Sequence, residues 1–72
     1  MRIITKDFDL EYSKINLFIK ETFFHYYILQ AKEIGCNKKY DLHIFEDRID
    51  ADRCLRSISE DYRKGFKIHR IY

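Results

Sequence analysis

The sequence predicts a single α+β domain, with two helices packed on one face of a four-stranded mixed sheet. Three observations predict it: residues 40–44 alternate apolar with polar side chains, residues 51–64 carry apolar side chains at helical spacing, and residues 66–72 become extended again after Gly65. The predicted order over residues 1–72 is β-β-α-β-α-β. Right-handed crossovers then place both helices on the same side of the sheet.

The predicted third strand depends on strict alternation. Tyr40, Leu42 and Ile44 alternate with polar neighbours, which is the period of a half-buried strand. The acidic segment 46–50 follows as a turn.

The second predicted helix has matching signals at both ends. Its apolar positions are Ala51, Leu55, Ile58 and Tyr62. Asp50 is the predicted N-cap and Asp52 lies in the first turn, while Arg63 and Lys64 occupy the last turn, as the helix dipole favours. Gly65 then ends the helix.

The N-terminal segment predicts two strands. Residues 2–8 form the first strand, with Ile3 and Ile4 at its centre. Residues 9–20 fit a second strand, because a helix there would scatter its apolar side chains around the whole circumference and bury no single side. The alternative is one long first helix over residues 9–34, which changes the order to β-α-β-α-β.

The first helix is predicted over residues 22–34. One arc of its helical wheel contains Phe23, Phe24, Tyr27, Ile28, Ala31 and Ile34. Thr22 is a suitable N-cap and Gly35 a left-handed end. Tyr26 and Leu29 fall on the otherwise polar side, which predicts exposure for both.

Composition excludes several classes of protein. The chain has 72 residues and a formal net charge of +2, which is too balanced for a dedicated polyanion binder. Six Phe and six Tyr give apolar side chains large enough to build a small core quickly. The start of the chain lacks the apolar stretch of a secretory signal, and segment 17–29 is too polar for a membrane span. We therefore predict a cytoplasmic protein, with Cys36 and Cys54 reduced.

The residues suited to metal binding or catalysis form no motif. Cys36, His43, Cys54 and His69 are zinc-ligand types, but no two are closely spaced. The chain contains no nucleophile elbow, no metalloprotease helix and no phosphate loop. The sequence therefore predicts neither an enzyme nor a bound metal or cofactor.

A nucleic-acid interface is the alternative functional prediction. Basic residues flank Tyr62, Phe66 and Tyr72 near the C-terminus, which is the combination that stacking on single-stranded RNA or DNA requires. The candidate residues are Lys38, Lys39, Arg63, Lys64, Lys67, His69 and Arg70.

Protein binding is the preferred prediction, because the rings exceed what so small a core can hold. Exposed aromatic residues with a polar rim are typical of protein interfaces. The candidate residues are Tyr12, Phe18, Tyr26 and Leu29, with Arg53 and Arg56 as rim charges. We predict a small non-enzymatic regulator or inhibitor, of the kind encoded by phages and mobile elements, that binds a host protein or complex. A homodimer is the other assembly that would cover the surplus rings.

Overall fold

A computed structural model describes residues 1–71 and contains, within them, two three-stranded sheets and one α-helix. The elements are β1 (Arg2–Ile4), β2 (Asp9–Glu11), a 3₁₀ turn (Tyr12–Lys14), β3 (Ile15–Glu21), β4 (Tyr27–Glu33), β5 (Lys39–Phe45), α1 (Arg48–Arg63) and β6 (Ile68–Arg70). The predicted four-stranded sheet with two helices is therefore wrong, and so is the alternative with one long first helix. The predicted extension of the last strand to Tyr72 lies outside the described residues.

The two sheets differ in topology. The terminal sheet has the order β2-β1-β6, with β1 antiparallel to β2 and parallel to β6, so that it joins the first and last strands of the chain. The hairpin sheet has the order β3-β4-β5 and is antiparallel throughout. Its long β3–β4 hairpin runs in register from Ile15 opposite Glu33 to Glu21 opposite Tyr27.

The predicted helix over residues 22–34 is instead a turn followed by β4. Along β4, Leu29 and Ala31 are buried on one face, while Ile28 lies on the other. Aromatic and β-branched side chains favour such a pleated surface, and pairing with β3 outweighs the helical spacing. Gly35 does have a left-handed φ of 80°, but it serves the β4–β5 turn rather than a helix end.

The buried core is aliphatic. Its members come from both sheets and from α1: Ile3, Ile15, Leu29, Ala31, Leu42, Ile58 and Ile71. Within residues 1–71 no Phe or Tyr is fully buried, so the rings do not build the centre of the core as composition suggested. Some pack around it, as Phe8 does edge-on against Tyr40 at 5.0 Å between ring centroids. The terminal sheet and α1 therefore share one core against one face of the hairpin sheet.

A β-bulge interrupts β5. Leu29 pairs with His43 and Gln30 with Asp41, so Leu42 is the extra residue on β5. The predicted strand at residues 40–45 is confirmed, but the bulge separates its two halves. Leu42 is buried, whereas Ile44 lies opposite Ile28 on the other face.

The helix α1 begins three residues before the predicted start. Asp47 is the N-cap, and its side chain accepts a hydrogen bond from the Ile49 amide at 2.8 Å. Asp50, the predicted cap, lies in the first turn. Within residues 1–71 no helix is long and apolar enough to cross a membrane.

The C-terminal end of α1 confirms the predicted role of Gly65. Its φ is 84°, and its amide donates to the Tyr62 carbonyl at 3.1 Å. The Phe66 amide donates to the Asp61 carbonyl at 3.0 Å. This left-handed capping motif satisfies carbonyls that the helix leaves unpaired and turns the chain toward β6.

We expect Gly65→Ala to lower the free energy of unfolding by about 1 kcal/mol, because a side chain is disfavoured at positive φ. A Cβ at this position meets no atom within 4 Å, so the loss comes from the backbone alone. Urea unfolding followed by circular dichroism measures it. Ser57→Ala, exposed in the middle of α1, is the control and should not destabilise. Equal stability of Gly65→Ala and the wild type would contradict the argument.

Candidate protein-binding surface

The turn between β3 and β4 is held by Thr22. Its amide donates to the Tyr26 carbonyl at 2.8 Å, and its Oγ1 accepts from the Tyr26 amide at 3.1 Å. Three residues form the loop between them, and the last, His25, has a φ of 63°. Histidine is among the few residues other than glycine that adopt this conformation with some frequency. The tip therefore has a defined, bonded geometry.

Two adjacent rings project from this tip into solvent. The side chains of Phe23 and Phe24 are 97% and 79% exposed. Leaving a Phe in water forgoes about 1.5–3 kcal/mol of burial free energy. The fold gains no packing energy from these rings, so they are available to a second molecule.

The apolar area continues from the tip onto the open face of the hairpin sheet. Tyr26 is 46% exposed and directly precedes β4, and continued alternation places it on the same side as Ile28. Ile28 lies opposite Ile44 of β5, which is 59% exposed, and diagonal to the half-buried Phe18 of β3. The exposed Lys20 is the residue of β3 directly opposite Ile28. We call Phe18, Phe23, Phe24, Tyr26, Ile28 and Ile44 together the apolar surface.

A polar pair borders the apolar surface on the same face. Gln30 Nε2 donates to Asp41 Oδ1 at 2.5 Å, in a directly paired position of β4 and β5. This bond satisfies the Gln30 amide, which is 7% exposed. The apolar surface thus has a polar border, as protein interfaces do.

Of the six residues predicted to bind protein, two lie together on the apolar surface. Phe18 and Tyr26 share the open face, although Tyr26 was predicted on a helix. Tyr12 lies in the 3₁₀ turn and stacks on Tyr62 at 4.6 Å between ring centroids. Leu29 is fully buried, so its predicted exposure is wrong. The error comes from the helical interpretation, since alternation in β4 sends Leu29 inward.

The two arginines predicted as rim charges lie on α1. Arg53 and Arg56 are exposed, but α1 packs on the face of the hairpin sheet opposite the apolar surface. Neither arginine can border Phe18 and Tyr26.

The residues predicted to bind nucleic acid belong to separate elements. Arg63 and Lys64 end α1, Lys67 precedes β6 and Arg70 is its last residue, all of them exposed. The remaining two lysines, Lys38 and Lys39, lie at the start of β5, in the other sheet. There Lys38 Nζ sits 5.3 Å from the Tyr40 ring centroid, and contact with Tyr40 raises the pKa of Lys38.

His69 is the exception among the predicted basic residues. Its Nδ1 lies 2.6 Å from Asp61 Oδ2, and its side chain is only 12% exposed. The pair ties β6 to α1. It withdraws His69 from the surface that the nucleic-acid hypothesis requires.

The two cysteines lie in different surroundings. Cys36 is exposed in the β4–β5 turn, and Cys54 is half-buried on α1, where burial raises the pKa of its thiol. A raised pKa lowers the thiolate fraction and so opposes nucleophilic chemistry at Cys54. Within residues 1–71 no group of three His, Cys, Asp or Glu side chains could hold a metal ion.

Sequence interpretation missed the tip. Phe23 and Phe24 were expected on the buried side of a helix, whereas they form a turn. The segment offers no Gly, Pro, Asn or Asp to indicate a turn. The sequence signal for β4 was the alternation of Tyr27, Leu29 and Ala31 with Ile28 and Gln30. Ile28 weakens that signal because it is apolar at a position where alternation requires a polar residue.

The chain matches no family model, no curated protein and no solved structure.

We expect the Tyr12–Tyr62 stack to contribute a coupling energy of about 1 kcal/mol. A double-mutant cycle with Tyr12→Ala and Tyr62→Ala, measured by urea unfolding, isolates it. Tyr26→Ala removes a ring of similar exposure to Tyr62 that has no aromatic partner in residues 1–71, so its stability should stay close to that of the wild type. Additive losses in the two single variants would show that the stack contributes nothing.

Proposed function

We propose that this chain is a small non-enzymatic protein-binding domain that inserts Phe23 and Phe24 into a pocket of its partner. The observation that carries the proposal is the pair of rings, 97% and 79% exposed, on a turn bonded by Thr22. Exposed aromatic side chains on a fixed backbone lose little conformational freedom on binding. Large rings that fill a partner's pocket account for much of the binding energy in many interfaces.

The charges near the tip are mixed in sign and favour a protein partner over a membrane. Glu46 and Asp47 follow β5 directly, and the last residue of β5, Phe45, pairs with Tyr27 at the base of the tip. Glu21, which ends β3, lies 4.0 Å from Arg48, and Lys20 lies opposite Ile28. The tip therefore lacks the one-sided basic charge that anionic lipid headgroups attract. A protein surface can present complementary charges of both signs.

Such a domain acts by occupying a surface that the partner needs for something else. This is the mode of a small regulator or inhibitor, and it requires no catalytic group. The proposed compartment is the cytoplasm, where the free thiols of Cys36 and Cys54 remain reduced.

We expect the double substitution Phe23→Ser with Phe24→Ser to leave thermal stability unchanged and to abolish binding, with each ring contributing at least about 2 kcal/mol. Affinity capture from the source cell with the wild type, followed by mass spectrometry, identifies the partner. Titration of that purified partner against each variant then measures the affinity.

Ile49→Ser is the matched control. Ile49 is 60% exposed in the first turn of α1, and its replacement should alter neither stability nor affinity. Full affinity in a folded Phe23→Ser, Phe24→Ser variant would refute the proposal. Sedimentation of the wild type with liposomes, lost in the same variant, would assign the tip to membranes instead.

A nucleic-acid-binding function is the second candidate. It is favoured by Phe66, 53% exposed, which follows Arg63 and Lys64 and precedes Lys67. None of these three basic side chains forms an ion pair within residues 1–71.

A salt titration distinguishes the two functions. If the basic residues bind RNA, affinity for a labelled single strand should fall steeply between about 50 and 200 mM salt, and Lys64→Glu with Lys67→Glu should remove it. The protein-binding proposal predicts no mobility shift of the strand at micromolar protein. Lys6→Glu, an exposed lysine before β2, is the control for net charge.

A further inference from the structure

β3 has an unpaired outer edge. Every second residue of β3, the even-numbered ones, forms the backbone hydrogen bonds to β4. This follows from the bonds at either end of the strand, where the Thr22 amide donates to the Tyr26 carbonyl and the Ile34 amide donates to the Lys14 carbonyl. Bonding direction alternates along a strand, so the N–H and C=O groups of Leu17 and Ile19 point away from β4. Within residues 1–71, β3 pairs with no other strand.

A groove of about 480 Å³ runs beside this edge. Ile15 and Leu17 line it from β3, and Leu55 and Ser59 line it from α1. Tyr12, held by its stack on Tyr62, borders one end. The groove therefore combines an apolar lining with a row of free backbone donors and acceptors.

A free strand edge beside an apolar groove suits β-strand addition. An extended segment that pairs with β3 places alternate side chains toward the groove and the rest toward solvent. The backbone bonds supply affinity for any extended segment. The side chains that enter the groove select for apolar residues at alternate positions.

Most of the charged side chains around the groove that form no ion pair are positive. Ser59 lines it, and Arg63 follows one helical turn later on the same face of α1. Arg56 is adjacent to Leu55, and Lys14 directly precedes β3. All three basic side chains are exposed, and none forms an ion pair within residues 1–71.

Two of the acidic side chains nearby are already engaged. Glu21, at the end of β3, lies 4.0 Å from Arg48, and Asp52 lies 3.8 Å from the same side chain. Glu60, next to Ser59, and Glu33, opposite Ile15, form no ion pair within residues 1–71. The unpaired basic side chains still outnumber these two, which favours an acidic occupant.

A second copy of the chain fits this edge poorly. Antiparallel pairing of two β3 strands would bring Lys14 of one copy near Lys20 of the other, and Lys20 near Lys14. It would also bring the α1 arginines of the two copies toward each other. Like charges brought together across a strand pair are destabilising.

We propose that the free edge of β3 and the groove beside α1 bind an extended, acidic segment of another protein as an added strand. This surface is separate from the apolar surface. Its test does not depend on Phe23 and Phe24.

The probe is a fluorescein-labelled decapeptide with an alternating valine and threonine centre and two glutamates at each end, and its counterpart has lysines in place of the glutamates. We expect the acidic peptide to bind about tenfold or more tightly than the basic one by fluorescence anisotropy. Amide hydrogen exchange at Leu17 and Ile19 should slow on binding, while the free edge of β5 should be unaffected.

Charge variants on α1 locate the site. Arg56→Glu with Arg63→Glu should weaken binding of the acidic peptide about tenfold or more. Arg53→Glu, an exposed arginine on the same helix but away from the groove, should bind like the wild type. Phe23→Ser with Phe24→Ser should also bind like the wild type, which separates this inference from the proposed function.

Three results would overturn the inference. Equal affinity for the two peptides, or none at millimolar concentration, would remove the acidic-strand assignment. If the peptide slowed amide hydrogen exchange on β5 and not on β3, the peptide would bind at the other edge of the hairpin sheet. Sedimentation as a dimer, with Leu17 and Ile19 protected in the absence of peptide, would make a second copy the occupant.

Discussion

The burial of Leu29 and Ala31 at the centre of β4 is the constraint on which the rest of the structure depends. Both side chains are inaccessible to solvent in the core formed with α1 and the terminal sheet. A strand alternates its side chains with a period of two, so this burial fixes the opposite orientation of Ile28 and Gln30. Pairing with β3 then brings Phe18 to the same open face. The apolar surface follows from which face of β4 is buried.

The spacing of apolar residues predicted the strand at residues 40–45 and the helix ending at Gly65. In the helix, the acidic first turn, the basic last turn and the final glycine agree with that spacing. Alternation could not reveal the bulge at Leu42, which depends on pairing with β4 and sends Ile44 to the open face. A single extra residue in one strand reverses the orientation of everything beyond it. The face of a side chain is therefore a property of the strand pair, and single-sequence periodicity cannot determine it.

The error over residues 22–34 has a different origin. The apolar positions there satisfy helical spacing because Phe23 and Phe24, which lie in a turn, add to the apolar residues of β4. No residue typical of turns marks this one in the sequence, since His25 adopts the left-handed conformation that glycine or asparagine normally adopts. Phe18 and Tyr26 were still selected as candidate binding residues. The surplus of rings over core volume, which predicts a binding surface at all, does not depend on secondary structure. The choice of these two residues did, since Tyr26 was taken from the polar side of a predicted helix and Phe18 from the open face of a predicted strand.

The aliphatic core explains where those rings go. Ile, Leu and Ala side chains fill the small space between α1, the terminal sheet and one face of the hairpin sheet. Both covering elements lie on that one face, so within residues 1–71 no layer covers the opposite face. In a larger domain a second layer would bury Ile28 and Ile44. In the function that we propose, a partner covers this face and supplies the missing layer, so that completing the apolar packing of so short a chain and recognising the partner would be the same physical event.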